Sequence, residues 1–234
     1  MGKQYGLGQE LSLQHTLSTI LRRKGGYERF WALSDIGFEV SRGEFFGIVG
    51  ANGSGKSTLT QLISGIAMPD TGKIEVWGRV LPLLEVGAGF HPELTGTENV
   101  FLLGTILGLP RAEIQQEMDR ISAFAGVQRH MDTPLKRYSS GMQARLSFAT
   151  AICFPAHIYI FDEVLAVVDD SFREQCAAEL VRLNERGSTV IFMSHDLGLV
   201  RSLCSTGMWL NRGQIQHVGA MEEVAEAYRA GSSA

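Results

Sequence analysis

The chain predicts an α/β fold: a mainly parallel core sheet with an antiparallel β edge and an inserted helical subdomain. Three observations carry that reading. Two apolar, strand-like runs, 157–161 and 189–193, flank helix-like sequence at 171–186, which is the βαβ unit of a parallel sheet. A third apolar run, 45–49, opens into a glycine-rich turn at 50–55 and then into helix-compatible sequence at 59–66. Between these strand regions lies a helical stretch from about 98 to 154, interrupted at Pro110, Gly126 and Pro134.

The remaining elements follow in order. Residues 11–24 place Leu13, Leu17, Ile20 and Leu21 on one helical face and end in Arg22, Arg23 and Lys24 before Gly25 and Gly26. That pattern suits a short helix packed on the domain, or an amphipathic element near anionic headgroups or a membrane partner. From Trp31 the pattern turns to strands. Residues 36–40 alternate apolar and polar, and 73–77 with 80–84 flank Gly78 as a hairpin at an antiparallel sheet edge. Trp209 and 214–218 bracket Arg212 and Gly213 as a second hairpin, and 222–229 reads as a closing helix. One domain is expected over 1–234, with 1–31 as an N-terminal extension carrying a short helix and about 93–154 as the helical subdomain.

Composition excludes several classes. With 234 residues, 44% hydrophobic and 20% charged, the chain suits one large α/β domain, neither disordered nor membrane-embedded. A net charge of −4 argues against nucleic acid as a partner. Cys153, Cys176 and Cys204 are scattered, with no CxxC, so neither a disulfide framework nor a zinc site is expected and a reducing cytosol fits. No run approaches the roughly 18–20 apolar residues of a membrane span, and the start of the chain lacks a signal-peptide pattern. Any membrane role is expected to come through a partner chain.

The chemistry concentrates in Gly50-Ala51-Asn52-Gly53-Ser54-Gly55-Lys56-Ser57-Thr58. A strand, a glycine-rich turn and a helix in that order form a P-loop, whose successive N–H groups and helix dipole cradle phosphate oxygens. Lys56 reaches the β- and γ-phosphates and the Ser57 hydroxyl ligates Mg²⁺, so the chain is expected to bind a nucleoside triphosphate. The strand 157–161 ends in Asp162 and Glu163: Asp162 orients a water on Mg²⁺, and Glu163 lies where it can polarise an attacking water. Ser139, Ser140 and Gly141 open a helix at 143–153, either as an ordinary N-cap or as donors to an anion. His195 follows another buried strand; it is either a satisfied structural histidine or, at the carboxyl end of a parallel strand, a group beside the phosphates.

In this order, the P-loop, Tyr138-Ser-Ser-Gly-Met142, the apolar strand ending in Asp162-Glu163 and Ser194-His195-Asp196 resemble the nucleotide-binding subunit of ABC transporters, over about 5–229. The resemblance implies a P-loop ATPase of ABC type, with ATP and Mg²⁺ as cofactors. It also implies that Ser139 and Gly141 close over ATP held by the opposite subunit's P-loop, that Asp169 is the aspartate at that dimer seam, and that His195 contacts the γ-phosphate. Tyr27 takes the place of the aromatic that stacks on adenine, with Phe30 and Trp31 as close competitors. Residues 84–99, 138–142 and 162–167 are similar to the export ATPases for O-antigen, capsular polysaccharide and teichoic acid. That branch implies a homodimer, two copies of a polytopic permease, a lipid-linked glycan as cargo, and residence on the cytoplasmic face of the cell membrane, with 90–105 as the docking surface. An ABC ATPase for another cargo is the first alternative. A soluble one acting on DNA or the ribosome is disfavoured by the short 98–138 interval, the single P-loop and the negative charge.

The sequence also departs from that family. Val86 stands where a Mg²⁺-sensing glutamine is usual, leaving Glu85 as the nearby polar candidate for a metal ligand. Ser140 and Met142 replace the common Gly and Gln, and Val168 a smaller residue. An Ile/Val-rich first strand before Tyr5 is not found. No carbohydrate-binding domain follows Arg229, so recognition of a glycan terminus in cis is not expected.

Overall fold

In the computed structural model, which describes residues 1–6, 29–83, 89–162 and 169–232, the chain begins with short strands β1 (Lys3–Gly6) and β2 (Arg29–Leu33). It continues through β3 (Phe45–Val49), α1 (Lys56–Ile63) and β4 (Val80–Leu83). Three helices follow, α2 (Gly96–Ile106), α3 (Arg111–Ala125) and α4 (Ser140–Cys153). Then β5 (Ile158–Asp162), α5 (Asp170–Glu185), β6 (Thr189–Ser194) and α6 (Leu197–Leu203) alternate, before β7 (Thr206–Asn211), β8 (Gln214–Ala220) and α7 (Met221–Ser232).

The main sheet has the order β4-β5-β6-β3-β7-β8. All neighbours are parallel except β7 and β8, and β1 and β2 form a separate antiparallel pair. The period-2 alternation of a strand sends residues to both faces of the sheet. Phe46 and Ile48 join Ile160, Ile191 and Met193 against Leu59 and Leu62 of α1. Val49, Phe161, Val190 and Phe192 join the opposite core with Phe148 of α4 and Phe172 and Leu180 of α5. A sheet covered on both faces needs continuous apolar strands, which is why β3, β5 and β6 were readable as such.

The α2–α4 block lies in sequence between β4 and β5, which are neighbours in the sheet. Its breaks are those the sequence predicts: Pro110 precedes α3, Gly126 ends it at φ +69°, and Pro134 precedes the short turn Leu135–Arg137. Phe148 packs on Phe161 and Phe172 with ring centroids 5.7 and 6.0 Å apart, tying α4 to β5 and α5. The second predicted hairpin forms as expected, with Arg212 and Gly213 at φ +46° and +75° in the turn.

Three strand expectations fail. Residues 36–40 form no strand. The 73–84 hairpin does not form either: 73–77 is irregular, and Val80–Leu83 pairs in parallel with β5, from Val80↔Ile158 to Leu83↔Phe161. The reason is tertiary. Gly78 turns at φ +116° with its Cα against the His157 side chain, Arg79 N donates to His157 Nδ1 at 2.9 Å, and Ile158 N donates to Arg79 O at 3.1 Å. The chain is thereby delivered onto β5, where Leu81 and Leu83 are buried. Finally, an edge strand sought before Tyr5 is found on Lys3–Gly6, with Tyr5 opposite Phe30. The predicted helix at 11–24 lies outside the described residues.

Candidate functional site

Strand register brings three chain exits together. Val49 is paired with Ser194, and Met193 with Asp162. The P-loop leaving β3, Asp162 ending β5 and His195 following β6 therefore emerge side by side at the carboxyl edge of the sheet, where parallel α/β folds bind ligands.

The P-loop is shaped by close backbone approach. A Cβ on Gly50 would sit 2.3 Å from Leu210 O and 2.6 Å from Ser54 Oγ. Gly55 has φ +110°, and its Cβ would lie 2.8 Å from Leu33 Cδ2 and 3.0 Å from Ala32 O. Ser54 N donates to Ala51 O at 3.1 Å, and Gly213 N, from the β7–β8 turn, donates to Ser54 O at 2.8 Å. The turn is thus braced from behind. Lys56 is only 6% exposed, and its Nζ donates to Gly50 O at 2.7 Å and Ala51 O at 3.2 Å, which fixes a positive charge against the loop. Helix α1 has Gly55 as N-cap and no side-chain cap, so its first N–H groups and dipole can serve an anion. The Ser54 hydroxyl is buried and has no hydrogen-bond partner among the described residues. Ala51, Asn52 and Gly53 are exposed at the tip, and Ser57 and Thr58 follow Lys56 in the first turn of α1.

Ser57 Oγ donates to Asp162 Oδ2 at 3.4 Å. Mg²⁺ takes hard oxygen donors, few of them from the protein, and completes its shell with phosphate and water, so a carboxylate can hold it directly or through one of its waters. Hydroxyl and carboxylate oxygens are the right donors, so this pair fits the ion. His195 is exposed. The turn around it is fixed by Asp196, whose N–H donates to Ser194 Oγ at 3.0 Å and whose carboxylate caps α6 through Gly198 N at 2.9 Å. Phe30 and Trp31, 45% and 44% exposed, lie on β2, whose end touches Gly55. Tyr27, Glu85 and Glu163 lie outside the described residues.

The other predicted residues gather elsewhere. Ser139 caps α4, its Oγ accepting from Met142 N at 3.2 Å; Ser139, Ser140 and Gly141 are all exposed. A hydroxyl used as acceptor in a cap keeps its own proton to donate, so capping and anion binding are compatible. Asp169 caps α5, Oδ1 accepting from Phe172 N at 3.1 Å, while Oδ2 accepts from Arg145 Nε at 3.1 Å and Nη2 at 2.5 Å. The Arg145 guanidinium, then the α5 N–H, hold the Asp169 carboxyl below its ordinary range. Among the described residues, the hydrogen bonds of Ser139 and Asp169 run to α4 and α5 and none to residues 50–58.

Sequence reasoning placed Gly213 in a hairpin turn but missed its support of the P-loop, and missed Arg145 and Asn99 altogether. Asn99 is fully buried; its side chain accepts from His91 N at 2.6 Å and donates to His91 O, Leu94 O and Thr95 O, holding 91–95 in one conformation. Beside it, Thr95 and Glu98 form the capping box of α2.

Comparison with known proteins bears on the fold and the family. Residues 33–166 match the ABC transporter family. The chain is 45% identical over 208 residues to the ABC transporter protein AbcA of Aeromonas salmonicida, covering 89% of this chain and 68% of that one. It is 40% identical to the O-antigen export system ATP-binding protein RfbB of Klebsiella pneumoniae, covering 86% and 82%. It is 38% identical to the teichoic acids export ATP-binding protein TagH of Bacillus cereus, covering 92% of this chain but only 39% of that longer relative. Among solved structures, the ATP-binding subunit of an ABC transporter superposes with a TM-score of 0.77 at 23% identity, over 88% of this chain and 90% of that one. A dimeric ATP-binding cassette bound to ADP and Pi gives 0.74 at 23%, over 85% and 94%. With its strand order, its P-loop and a family match spanning more than half its length, the chain belongs to the ABC transporter family.

Proposed function

We propose that the chain is the ATP-hydrolysing subunit of an exporter that drives a lipid-linked polysaccharide (an O-antigen, capsule or teichoic-acid-like polymer) across the cytoplasmic membrane. The observation that carries this reading is the division of the site: phosphate-binding residues converge at one sheet edge, while Ser139–Gly141 and Asp169 form a second, exposed group. Two copies arranged head to tail would bring the second group of each onto the first group of the other, with two ATP molecules at the seam.

Each residue then has a task. The P-loop N–H groups and Lys56 bind the phosphates, and Ser57 and Asp162 hold Mg²⁺, with Glu85 as a further candidate ligand. When bound, Mg²⁺ supplies charge neutralisation on the phosphate oxygens. Glu163 orients and polarises the attacking water, His195 donates to the γ-phosphate, and Tyr27 stacks on adenine. Ser139, Ser140 and Gly141 donate to the same nucleotide from the opposite subunit. Such catalysis is mostly positioning and charge stabilisation, so removal of Glu163 spares binding and stops turnover, whereas removal of Lys56 costs binding itself.

Among the described residues no helix is long and apolar enough to cross a membrane; the membrane partner on this reading is a permease, two copies per ATPase dimer. Residues 90–105 are the proposed contact. Asn99 makes that loop rigid, and beside it a cleft of about 370 Å³ is lined by Leu83, Leu103, Ile106 and Leu107. The similarity to O-antigen and teichoic acid exporters supports the glycan cargo over other cargoes.

The test is capture of tagged Glu163→Gln chain, with ATP, from detergent-solubilised native membranes. Recovery of one polytopic membrane protein in roughly equal amount, with lipid-linked glycan accumulating inside cells that carry the variant, is the expected result. A permease without glycan accumulation points to another cargo. Ribosomal or DNA-bound partners with no membrane protein would overturn the export reading.

A further inference from the structure

We propose that Arg145 is a positioning residue: it locks the start of α4 to Asp169, so that Ser139–Gly141 and Asp169 meet a second copy of this chain as one rigid unit. This deepens the dimer reading above and rests on it.

The geometry is specific. Arg145 lies six residues after Ser139, about 1.7 turns along the same helix. Two of its guanidinium donors, Nε and Nη2, go to Asp169 Oδ2, while Oδ1 caps α5. The two carboxylate oxygens are thus divided between two helices. Exposed ion pairs usually contribute little, because two flexible side chains must be held in one arrangement. Here the arrangement is already fixed. The guanidinium lies 5.3 Å from the centroid of the Phe172 ring, which is 1% exposed and packs edge-on to Phe148 of α4. One arginine therefore joins α4 to the first turn of α5 by charge and by stacking.

Charge gives this pairing a consequence at the seam. A bare carboxylate facing the polyanionic phosphates of the opposite subunit would repel them. Paired with Arg145, Asp169 presents a neutral ion pair whose guanidinium has donors directed by the same planar group. The pair also fixes the distance between Ser139 and Asp169, which a head-to-tail partner must match at both points.

Variants of Arg145 test this in the Glu163→Gln background, with ATP-dependent dimerisation followed by sedimentation and ATP affinity followed with a fluorescent analogue at monomer concentrations. Arg145→Met keeps the stem on Phe172 and loses the donors. It should bind nucleotide as the parent does, yet dimerise about tenfold more weakly, and in the otherwise native chain lower kcat about tenfold at unchanged KM. Arg145→Lys, which keeps the charge, should recover part of both losses. Parent-like dimerisation by Arg145→Met would overturn the inference while leaving the dimer reading intact. If Arg145→Met does not fold, parent-like dimerisation by Arg145→Lys overturns it, because a lysine cannot reproduce two directed donors. Failure of the Glu163→Gln parent to dimerise with ATP would overturn both.

Discussion

The P-loop edge and the Ser139–Asp169 edge use the same materials, glycines, serines and one carboxylate, but hold them differently. At the P-loop, Ser54 and Lys56 are 3% and 6% exposed, and a Cβ on Gly50 would strike backbone. At the other edge Ser139, Ser140 and Gly141 are exposed, and a Cβ on Gly141 would meet nothing closer than Ser139 Oγ at 3.9 Å. One chain completes the first cradle by itself. The second is braced from behind, through Arg145 and Phe172, and open in front. On the proposed reading, a site built in this way separates nucleotide binding from turnover: the first would belong to a monomer, the second to a pair.

Substitutions at the two edges should break that comparison or sharpen it. The largest effect is expected for Lys56→Ala, which removes a buried charge from the phosphate cradle. Turnover should fall about 10²–10³-fold, and binding of ATP to the monomer should be lost. Ser139→Ala should also lower turnover, yet leave monomer affinity for ATP unchanged in equilibrium titration. Equal loss of affinity in both variants would erase the distinction between the edges.

A smaller contrast comes from one chemical change made twice. Gly55→Ala places a side chain at φ +110° against Leu33 and Ala32, at a cost of about 1–3 kcal/mol, visible as a lower denaturation midpoint. Gly141→Ala sits in open space in the first turn of a helix. It should leave stability unchanged or raise it by up to about 1 kcal/mol, while still slowing hydrolysis at the seam. A destabilised Gly141→Ala would mean that this edge is as crowded as the P-loop.

The smallest expected effect is one of pH. The Asp169 carboxyl is held below its ordinary range, first by Arg145 and then by the α5 N–H. A depressed carboxyl contributes stability above its unfolded-state pKa, near about 3.9, and loses that contribution as pH falls through the lower folded value. Asp169→Asn should therefore unfold more readily than the native chain at neutral pH, with the two acid-unfolding curves converging as pH falls through the lowered folded value. A constant separation down to the acid limit would mean that the loss is packing and not charge.

Legibility in the sequence followed the range of the forces involved. The strands β3, β5 and β6, the helix breaks at Pro110 and Gly126 and the turn at Arg212-Gly213 each express a period or a backbone preference within a few residues. The 73–84 segment misled because alternation around a glycine is also what a hairpin looks like; pairing with β5 and the His157 contact decided otherwise. Segment 36–40 has strand-like alternation but takes no place in either sheet. The turn at Gly213 was legible but its bond to Ser54 was not, and Arg145 carried no signal of its partner 24 residues away; the contacts of Asn99 with 91–95 depend on how that loop closes.

The sequence by itself determined the chemistry on offer: a phosphate-binding loop, a carboxylate ending a buried strand and a capped helix of small residues. These are short-range features, written in glycine, hydroxyl and apolar spacing. Only the tertiary structure decided which of them meet. Parallel register placed Gly50, Asp162 and Ser194 at one sheet edge, because buried backbone groups must pair with whichever strand the packing brings alongside. The same packing set α4 against α5 and so left Ser139 and Asp169 facing outward, joined by Arg145.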